Sequence, residues 1–463
     1  MKINFRKSKI LGKIADNKSD EAFLKSVFDA GLDIAWLNTA HQGEADAEAL
    51  IARIKSVSPH VALMIDTKGP EVRTKNLENP FPVKSGDVIH ISGNLDHHND
   101  GAQMLHVDYP NFHNEVPVGT VILYDDATIG FTVTAKEGDS LKCVAQNTGT
   151  VKNKKSVNVP GVHIELPALT EKDKSFIRWC GKHNIEFIIH SFVRGKQDLL
   201  DIKAITDQFP GYKPQVISKI ENREGFDNTE EILNYSDGLM VARGDLGAEV
   251  PFEEMPFMQK KMVEAAMKKG KASVVATQVL DSMIKNPRPT RAEVLDVANA
   301  VLEGSGAVSM SGETAYGEYP VEATSLMSRV MVYTESKIDD LTHYAFGPEV
   351  NTPVYAKAKE ITSHAKKEGS KAILATVTDP ALYYALSAYR PSCIVIAACN
   401  EEIEARKLML YYAVRPIHLE AASMKTLVKN IDAGSFAPTD RVTVVEDDAN
   451  GVTFKTVQYK ELA

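Results

Sequence analysis

Several features are missing from this chain of 463 residues, and each absence excludes a class of protein. No apolar run approaches the ~20 residues that a bilayer-spanning helix needs. The amino terminus is basic but lacks the apolar core of a secretory signal peptide. The net charge of −9 gives no general attraction to nucleic acid or anionic lipid. We therefore expect neither a membrane nor a nucleic acid as partner.

Cysteine is also scarce, with only Cys143, Cys180, Cys393 and Cys399 in the whole sequence. Their spacing contains no CxxC pair of the kind found in zinc and redox sites. Scattered cysteines in a chain of this size indicate reduced structural thiols and a cytoplasmic protein.

The pattern of apolar residues predicts an α/β protein of about three domains, at roughly 150 residues each. Strand-like and helix-like segments alternate over residues 1–73 and 167–345, which is typical of parallel strands and favours a (β/α)8 TIM barrel. Residues 74–166 carry short β-rich runs separated by Gly, Asp and Asn, which predicts a small, mostly β domain inserted into the barrel. Residues 346–463 alternate again and form a separate C-terminal α/β domain.

Two apolar, strand-like runs, QVISKI and GLMVA, are followed at once by charge. The first places Lys219 and Glu221 at its end, and the second is followed by Arg243 and Asp245. Charge at the end of a buried strand is costly unless a ligand or partner balances it. Parallel strands that end in reactive side chains are typical of the active face of a (β/α)8 barrel. These residues predict an enzyme with a metal ion and an anionic substrate.

Glu221 and Asp245 have the chemistry of a magnesium site. Mg²⁺ typically takes one or two protein carboxylates and completes its octahedron with substrate oxygens and water; the alternative is a pair of salt-bridged carboxylates at the barrel rim. Lys219 lies two residues before Glu221, on the same side of the strand. It either stabilises charge during phosphoryl transfer or forms a structural ion pair with Glu221.

Gly244 and two further strand ends add candidate groups. Gly244 allows close approach of the backbone to a ligand, and amide groups of the helix that follows could hold a carboxylate. Thr277 ends another strand with a hydroxyl, although a single strand-end threonine is more often structural. The loop IDTKGPEVRT places Asp66, Thr67 and Arg73 together after a third strand.

Six segments closely resemble pyruvate kinases and occur in that family's order: IDTKGPEVRT, KKSVNVPG, ISKIENREG, VARGDLGAEVP, ATQVLDSMIKNPRPTRAEVLDVANAVLEG and SGETAYGEYPVEA. They cover the predicted barrel and the inserted domain. The resemblance implies transfer of a phosphoryl group from phosphoenolpyruvate to ADP in glycolysis, and a homotetramer. It also implies that the inserted domain closes over the site.

The resemblance assigns a role to each matching residue. Lys219 faces the transferring phosphoryl group; Glu221 and Asp245 bind Mg²⁺ or Mn²⁺. The substrate carboxylate is held by Gly244, Asp245 and Thr277, and the nucleotide is contacted by Arg73, Lys155 and His41. A potassium ion falls on Asn38, Asp66 and Thr67. Family members that need K⁺ carry a glutamate at the position of Glu71, so we expect dependence on K⁺.

The chain departs from the family near its amino terminus, where it reads AWLNTAHQ instead of the usual ARLNFSHG. Trp36 occupies the position of an arginine that contacts the transferring phosphoryl group, and Ala40 replaces a serine of the potassium site. Tryptophan has one donor and no charge, so it cannot replace a bidentate phosphate clamp. An active enzyme is favoured, and a catalytically weakened or inactive homologue is the alternative.

A second departure lies in the C-terminal domain. Family members activated by a sugar bisphosphate hold a phosphate on a Ser/Thr-rich loop, whereas here Asp379 and Pro380 occupy the matching stretch. Aspartate repels phosphate and proline has no amide donor. We therefore expect no activation by fructose 1,6-bisphosphate.

Two other classes of function are compatible with a barrel of this kind. An aldolase or lyase acting on a related substrate would need neither the inserted domain nor the pair Arg73 and Lys155. A scaffold or sensor without catalysis is favoured only by Trp36.

Overall fold

The computed structural model describes residues 5–38, 43–98, 103–338, 347–448 and 451–462. Within these ranges the chain builds a closed eight-stranded parallel barrel, a closed seven-stranded barrel inserted into it, and a five-stranded α/β sheet at the carboxyl end. The predicted fold class is therefore confirmed. No helix in the described ranges has both the length and the hydropathy needed to cross a bilayer.

The large barrel opens with three parallel strands and two helices: β1 (Lys9–Lys13), α1 (Glu21–Ala30), β2 (Ile34–Asn38), α2 (Glu44–Val57) and β3 (Ala62–Asp66). Local chemistry sets the ends of α1. The side chain of Asp20 accepts the Phe23 amide at the start of the helix, and Gly31 ends it with φ of 118°.

The inserted domain is a small β-barrel with its own apolar core. Its elements are β4 (Val72–Lys75), β5 (Phe81–Val83), β6 (Val88–Ser92), β7 (Gln103–Val107), α3 (Phe112–Glu115), β8 (Val121–Tyr124), β9 (Ile129–Glu137), β10 (Ser140–Ala145), β11 (Gly149–Val151) and β12 (Ser156–Asn158). Strand β4 pairs with β12 and β7, so Arg73 lies in a strand of this small barrel.

Five more strands close the large barrel: β13 (Phe187–His190), β14 (Gln215–Ile220), β15 (Gly238–Ala242), β16 (Ala272–Ala276) and β17 (Ala307–Met310). The helices of this part are α4 (Glu171–His183), α5 (Lys196–Thr206), α6 (Arg223–Asp227), α7 (Thr229–Tyr235), α8 (Arg243–Glu249), α9 (Met255–Lys268), α10 (Arg291–Leu302), α11 (Gly312–Ala315) and α12 (Pro320–Glu335). The strands are almost wholly buried because helices cover their outer faces and side chains fill the barrel interior.

The C-terminal domain comprises α13 (Pro353–Lys367), β18 (Ala372–Thr376), α14 (Ala381–Ala388), β19 (Ile394–Cys399), α15 (Glu402–Lys407), β20 (Val414–His418), α16 (Met424–Asn430), β21 (Arg441–Asp448) and β22 (Gly451–Gln458). Its strand order is β20-β19-β18-β21-β22. The sequence pattern did not indicate β20, which contains Pro416. A proline is tolerated there because β20 is an edge strand and its free side needs no amide donor.

A buried ionic cluster joins the C-terminal domain to the barrel, at the end where the barrel strands begin. The carboxylate of Asp33 forms ion pairs with Arg6 and with Arg415 of β20, the latter at 2.7 Å, and accepts the Ile10 amide at 2.8 Å. Lys9, fully buried, donates from its ammonium group to the Val414 carbonyl. Burial alone would raise the pKa of Asp33, but the charges of Arg6, Arg415 and Lys9 lower it to about 2.

Removing the central charge of this cluster should destabilise the whole chain. We expect Asp33→Asn to lower the free energy of unfolding at neutral pH by about 3–5 kcal/mol, because it leaves buried arginines without a counter-charge. In wild type the contribution of Asp33 is complete above its ordinary pKa of 3.8 and is lost as the pH falls through about 2. Urea unfolding at several pH values measures both effects.

Asp29→Asn is the matched control, because Asp29 pairs with Lys25 at 2.6 Å on the exposed face of α1. Its loss should cost under about 1 kcal/mol. Equal losses from the two variants would contradict the role given to the buried cluster.

Candidate active site

A cavity of about 280 Å³ opens where the barrel strands end. Lys13 of β1, Trp36 of β2 and Asp66 of β3 line one side, and Lys219 and Thr277 line the other. The carboxyl ends of parallel barrel strands form one face of the fold, so residues far apart in sequence meet there. The structure thus brings together most of the residues that the sequence singled out.

Lys219 is the central cation of the cavity. Its Nζ lies 2.8 Å from Glu221 Oε1 and 3.7 Å from Asp66 Oδ2, and it donates to Ser191 Oγ at 3.2 Å. Burial opposes the charged form, yet the negative charges of Asp66 and Glu221 raise the pKa of Lys219 above its usual range. The ammonium group is therefore charged and held in place before any ligand arrives.

Glu221 is fully buried beside this lysine. Its Oε2 accepts the amide of Phe192 at 2.8 Å. Burial raises the pKa of Glu221 to about 8, and the negative charge of Asp245 works in the same direction against the lowering effect of Lys219. A cation placed between the two carboxylates would favour the ionised form of Glu221.

Asp245 lies in the first turn of α8 and lines the cavity without a hydrogen bond or ion pair to any residue of the described ranges. In those ranges no group of three or more His, Cys, Asp and Glu side chains is arranged to hold a metal. A metal on Glu221 and Asp245 would therefore draw its other ligands from substrate and water. That donor set suits Mg²⁺, which commonly uses only one or two protein carboxylates.

Gly244 and Thr277 meet across neighbouring strands. The Gly244 amide donates to Thr277 Oγ1 at 2.8 Å, and that hydroxyl donates to the Ala276 carbonyl at 2.6 Å. Thr277 and Gln278 have φ of 70° and 52°, an unusual backbone for residues with a Cβ. Such strained backbone persists only where neighbouring groups enforce it.

Arg243 enforces that backbone, a role that the sequence did not reveal. Its Nη2 donates to the Thr277 carbonyl at 2.7 Å, and its Nη1 pairs with Asp296 of α10 at 2.7 Å. The guanidinium is mostly buried and so ties the loop after β16 to a helix of the barrel wall.

Ser191 and Phe192, which follow β13, are also site residues that the sequence did not single out. Ser191 Oγ donates to Asp66 Oδ1 at 2.9 Å and receives the bond from Lys219. Phe192 supplies the amide to Glu221 from a backbone with φ of 54°. Their only signal in the sequence is their place directly after a strand.

The predicted potassium residues lie at the ends of β2 and β3. Asn38 pairs with Asp66 in the β2–β3 ladder, although the side chain of Asn38 is outside the described part. Burial raises the pKa of Asp66. Thr67 Oγ1 lies 3.0 Å from His190 Nδ1 and accepts the Ser191 amide at 3.2 Å.

Two other predicted positions, Ala40 and His41, lie outside the described residues.

The predicted nucleotide contacts lie at the edge of the inserted domain. Arg73 lines the cavity, with its Nε 2.8 Å from Glu71 Oε2. Lys155 is adjacent, because its carbonyl accepts the Thr74 amide at 2.9 Å, but its ammonium group pairs with Asp125 at 2.9 Å. The backbone therefore places Lys155 next to Arg73, and of the two it is Arg73 that lines the cavity.

Comparison with known proteins decides the family. The family model described as the pyruvate kinase barrel domain matches residues 5–324. A pyruvate kinase from Borreliella burgdorferi is 39% identical, over 98% of this chain and 96% of its own length. The chain belongs to the pyruvate kinase family. Membership makes it a phosphotransferase of glycolysis, in a family that generally depends on metal ions.

Further relatives agree. A pyruvate kinase from Sporosarcina psychrophila is 39% identical over 90% of this chain and 72% of its own length. The crystal structure of a pyruvate kinase from Cryptosporidium parvum superposes with a TM-score of 0.88 at 32% identity, covering 98% of this chain and 96% of that one. Nothing among these relatives favours an aldolase, a scaffold or an inactive homologue.

Substitution of Arg243 tests whether this residue positions the loop that contains Thr277. We expect Arg243→Met to lower kcat/KM for phosphoenolpyruvate by about 10²-fold, because releasing the Thr277 carbonyl displaces a substrate-facing loop by about an ångström. Steady-state kinetics measure the change. Asp296→Asn is the control, since it breaks the ion pair but leaves the bonds from Arg243 to the Thr277 carbonyl. If both variants lose activity equally, the ion pair and not the loop anchor is responsible.

Proposed function

We propose that this chain transfers the phosphoryl group of phosphoenolpyruvate to ADP, yielding pyruvate and ATP in the last step of glycolysis. The observation that supports this most is the placement of Lys219 beside the carboxylates of Glu221 and Asp245, where neighbouring barrel strands end. Phosphoryl transfer needs little covalent chemistry from a protein, but it needs positive charge around the moving group.

Apart from one proton, which water supplies, the reaction needs no further co-reactant. The bridging P–O bond of phosphoenolpyruvate breaks as a terminal oxygen of the ADP β-phosphate bonds to the same phosphorus. The enolate left behind then takes a proton from water at its CH₂ carbon and becomes pyruvate.

In this proposal Lys219 faces the phosphoryl group and stabilises its charge during transfer. The amides at Gly244 and Asp245, with the hydroxyl of Thr277, hold the substrate carboxylate. The bond between the Gly244 amide and Thr277 Oγ1 is then exchanged for bonds to the ligand, so the Gly244 amide is paired in both states.

Metal ions complete the charge of the site. Glu221 and Asp245 would hold Mg²⁺ or Mn²⁺, which when bound neutralises the phosphate oxygens of both substrates. Asn38, Asp66 and Thr67 would hold K⁺. Glu71 keeps its carboxylate buried against Arg73, in line with the expected need for K⁺.

Arg73, Lys155 and His41 are proposed to contact the nucleotide. Two of these lie in the small barrel, so closure of that domain over the cavity would bring their charges to ADP and exclude water. The inserted domain, predicted as residues 74–166, then acts as a lid, and strand β4 extends it to Val72.

We propose that the C-terminal domain does not bind sugar bisphosphates. Its loop after β18 already uses two amide donors on carboxylates: Thr378 donates to Asp447 at 2.5 Å, and Ala381 donates to Asp379 at 2.9 Å. An incoming phosphate would meet the negative charge of both carboxylates.

We further propose that the chain assembles as a homotetramer. Large apolar side chains with high exposure, among them Phe252 at 80% and Phe257 at 71%, support contact with other copies. Sedimentation analysis would give the mass of the assembly.

The function is tested by following pyruvate with lactate dehydrogenase and NADH. We expect pyruvate to form only when phosphoenolpyruvate, ADP and a divalent metal are all present, and to form faster with K⁺ than with tetramethylammonium. Lys219→Met should lower kcat by at least about 10³-fold, because it removes the charge that faces the phosphoryl group. Absence of pyruvate from the complete mixture with wild type would refute the proposed function.

The response to effectors gives a separate prediction. We expect fructose 1,6-bisphosphate to leave the half-saturation concentration of phosphoenolpyruvate unchanged, since Asp379 and Asp447 occupy the loop donors. Initial rates over a range of phosphoenolpyruvate, with and without the sugar bisphosphate, measure this. A shift of about tenfold, equal to about 1.4 kcal/mol of coupling, would overturn it.

A further inference from the structure

Trp36 removes a positive charge from the cavity, because the family resemblance implies an arginine at this position. The indole is almost fully buried, with 3% exposure, and its Nε1 has no hydrogen-bond partner in the described part of the chain. A single neutral donor cannot replace the paired, charged bonds of a guanidinium to a phosphoryl group. A compensating charge has to come from a different element of the barrel.

Lys13 is the cation that lies next to this position. It is the last residue of β1, and the β1–β2 ladder pairs it directly with Trp36. Leu11, two residues earlier, packs inside the barrel, so the alternation of the strand directs Lys13 to the same interior. Lys13, Trp36 and Lys219 all line the one cavity.

The ring of Trp36 lies against both ammonium groups. Lys13 Nζ is 5.3 Å from the ring centroid and Lys219 Nζ is 5.8 Å from it. Both distances are within the range of cation–π attraction. The ring therefore fixes the positions of two positive charges at the end of the barrel where phosphoryl transfer is proposed.

The two lysines differ in their partners. Lys219 is neutralised by Glu221 and Asp66, whereas Lys13 forms no ion pair with a carboxylate of the described residues. The pKa of Lys13 is lowered by burial and, against the attraction of Asp66, by the positive charge of Lys219. A bound anion that contacts both ammonium groups would relieve this repulsion.

We propose that Lys13 contacts the transferred phosphoryl group and supplies the positive charge that Trp36 cannot, while the Trp36 ring positions the Lys13 ammonium. The proposal rests on the proposed function of the site. The positive charge that the family resemblance implies on β2, at position 36, is then supplied in this chain by Lys13 on the adjacent strand β1. Trp36 becomes a positioning residue, and Lys13 becomes a second cation beside Lys219 on the phosphoryl oxygens.

Kinetics of four variants test this. We expect Lys13→Met to lower kcat/KM for phosphoenolpyruvate by about 10²-fold, the usual effect of deleting one charged or oxyanion-binding donor. Lys13→Arg should retain most of the activity because it keeps the charge. Adding Trp36→Arg to Lys13→Met should restore about tenfold or more. Lys172→Met, on the exposed start of α4 and outside the cavity, is the matched control and should not change the rate.

Two readouts separate a contact with substrate from a structural role. The KM for ADP of Lys13→Met should match wild type and its thermal midpoint should not fall, since the variant removes neither a nucleotide contact nor an ion pair and relieves the repulsion from Lys219. A recovery of Lys13→Met by high K⁺ would show that the ammonium stands in for a monovalent ion, and would overturn the proposal. Unchanged kcat/KM in Lys13→Met would overturn it as well.

Binding of phosphoenolpyruvate with Mg²⁺ is measured directly through Trp36 fluorescence in a Trp179→Phe background, which removes the chain's other tryptophan. Weaker binding of phosphoenolpyruvate to the Lys13→Met variant supports a contact between Lys13 and the substrate. If wild type binds phosphoenolpyruvate but forms no pyruvate, only the proposed function fails. Pyruvate formation together with unchanged binding and rate in Lys13→Met leaves the function standing and rejects the role of Lys13. If wild type does not bind phosphoenolpyruvate, both are rejected.

Discussion

The buried ion pair between Lys219 and Glu221 is the constraint on which the site depends. The Lys219 ammonium and the Glu221 carboxyl group lie 2.8 Å apart and are both buried, and each favours the charged form of the other. Asp66 and Ser191 surround the same ammonium, and the Phe192 amide fixes the carboxylate. The strained backbone at Phe192 is thus one component of a charge network whose members hold one another in position.

Two charged side chains of the cavity, the anionic Asp245 and the cationic Lys13, form no ion pair within the described residues. Asp245 has no partner in the described part of the chain, and Lys13 pairs with no carboxylate there. An unpaired charge at a cavity wall costs free energy in the empty protein and favours a ligand of opposite sign. A divalent metal would balance the charge of Asp245 and a phosphoryl group the charge of Lys13, which is in line with the proposed function.

The sequence predicted the fold class and the principal charges because both have local signatures. A lysine or carboxylate directly after an apolar run is visible in a single segment, which is how Lys219, Glu221 and Asp245 were found. Lys13 has the same local appearance, but its importance depends on pairing with Trp36 across two strands. The hydrogen bond from Arg243 to the Thr277 carbonyl likewise joins residues that are 34 positions apart in the sequence.

Two other features, the role of Ser191 and strand β20, could not be predicted from the sequence for different physical reasons. Ser191 acts through its hydroxyl in a loop with no periodicity, so nothing in its segment separates it from an ordinary turn residue. Strand β20 contains a proline, which usually argues against a strand. Only its edge position in the finished sheet, a property of the whole domain, makes Pro416 acceptable there.

The ionic cluster around Asp33 makes the barrel and the C-terminal domain a single cooperative unit. Arg415 comes from the domain, Arg6 precedes β1, and the carboxylate that joins them precedes β2. Separating the two parts would expose the apolar floor of the barrel and take Arg415 away from Asp33. A barrel excised from this chain would therefore need polar residues in place of the apolar ones on its floor before it could fold alone, with Asp33 kept as the counter-charge of Arg6.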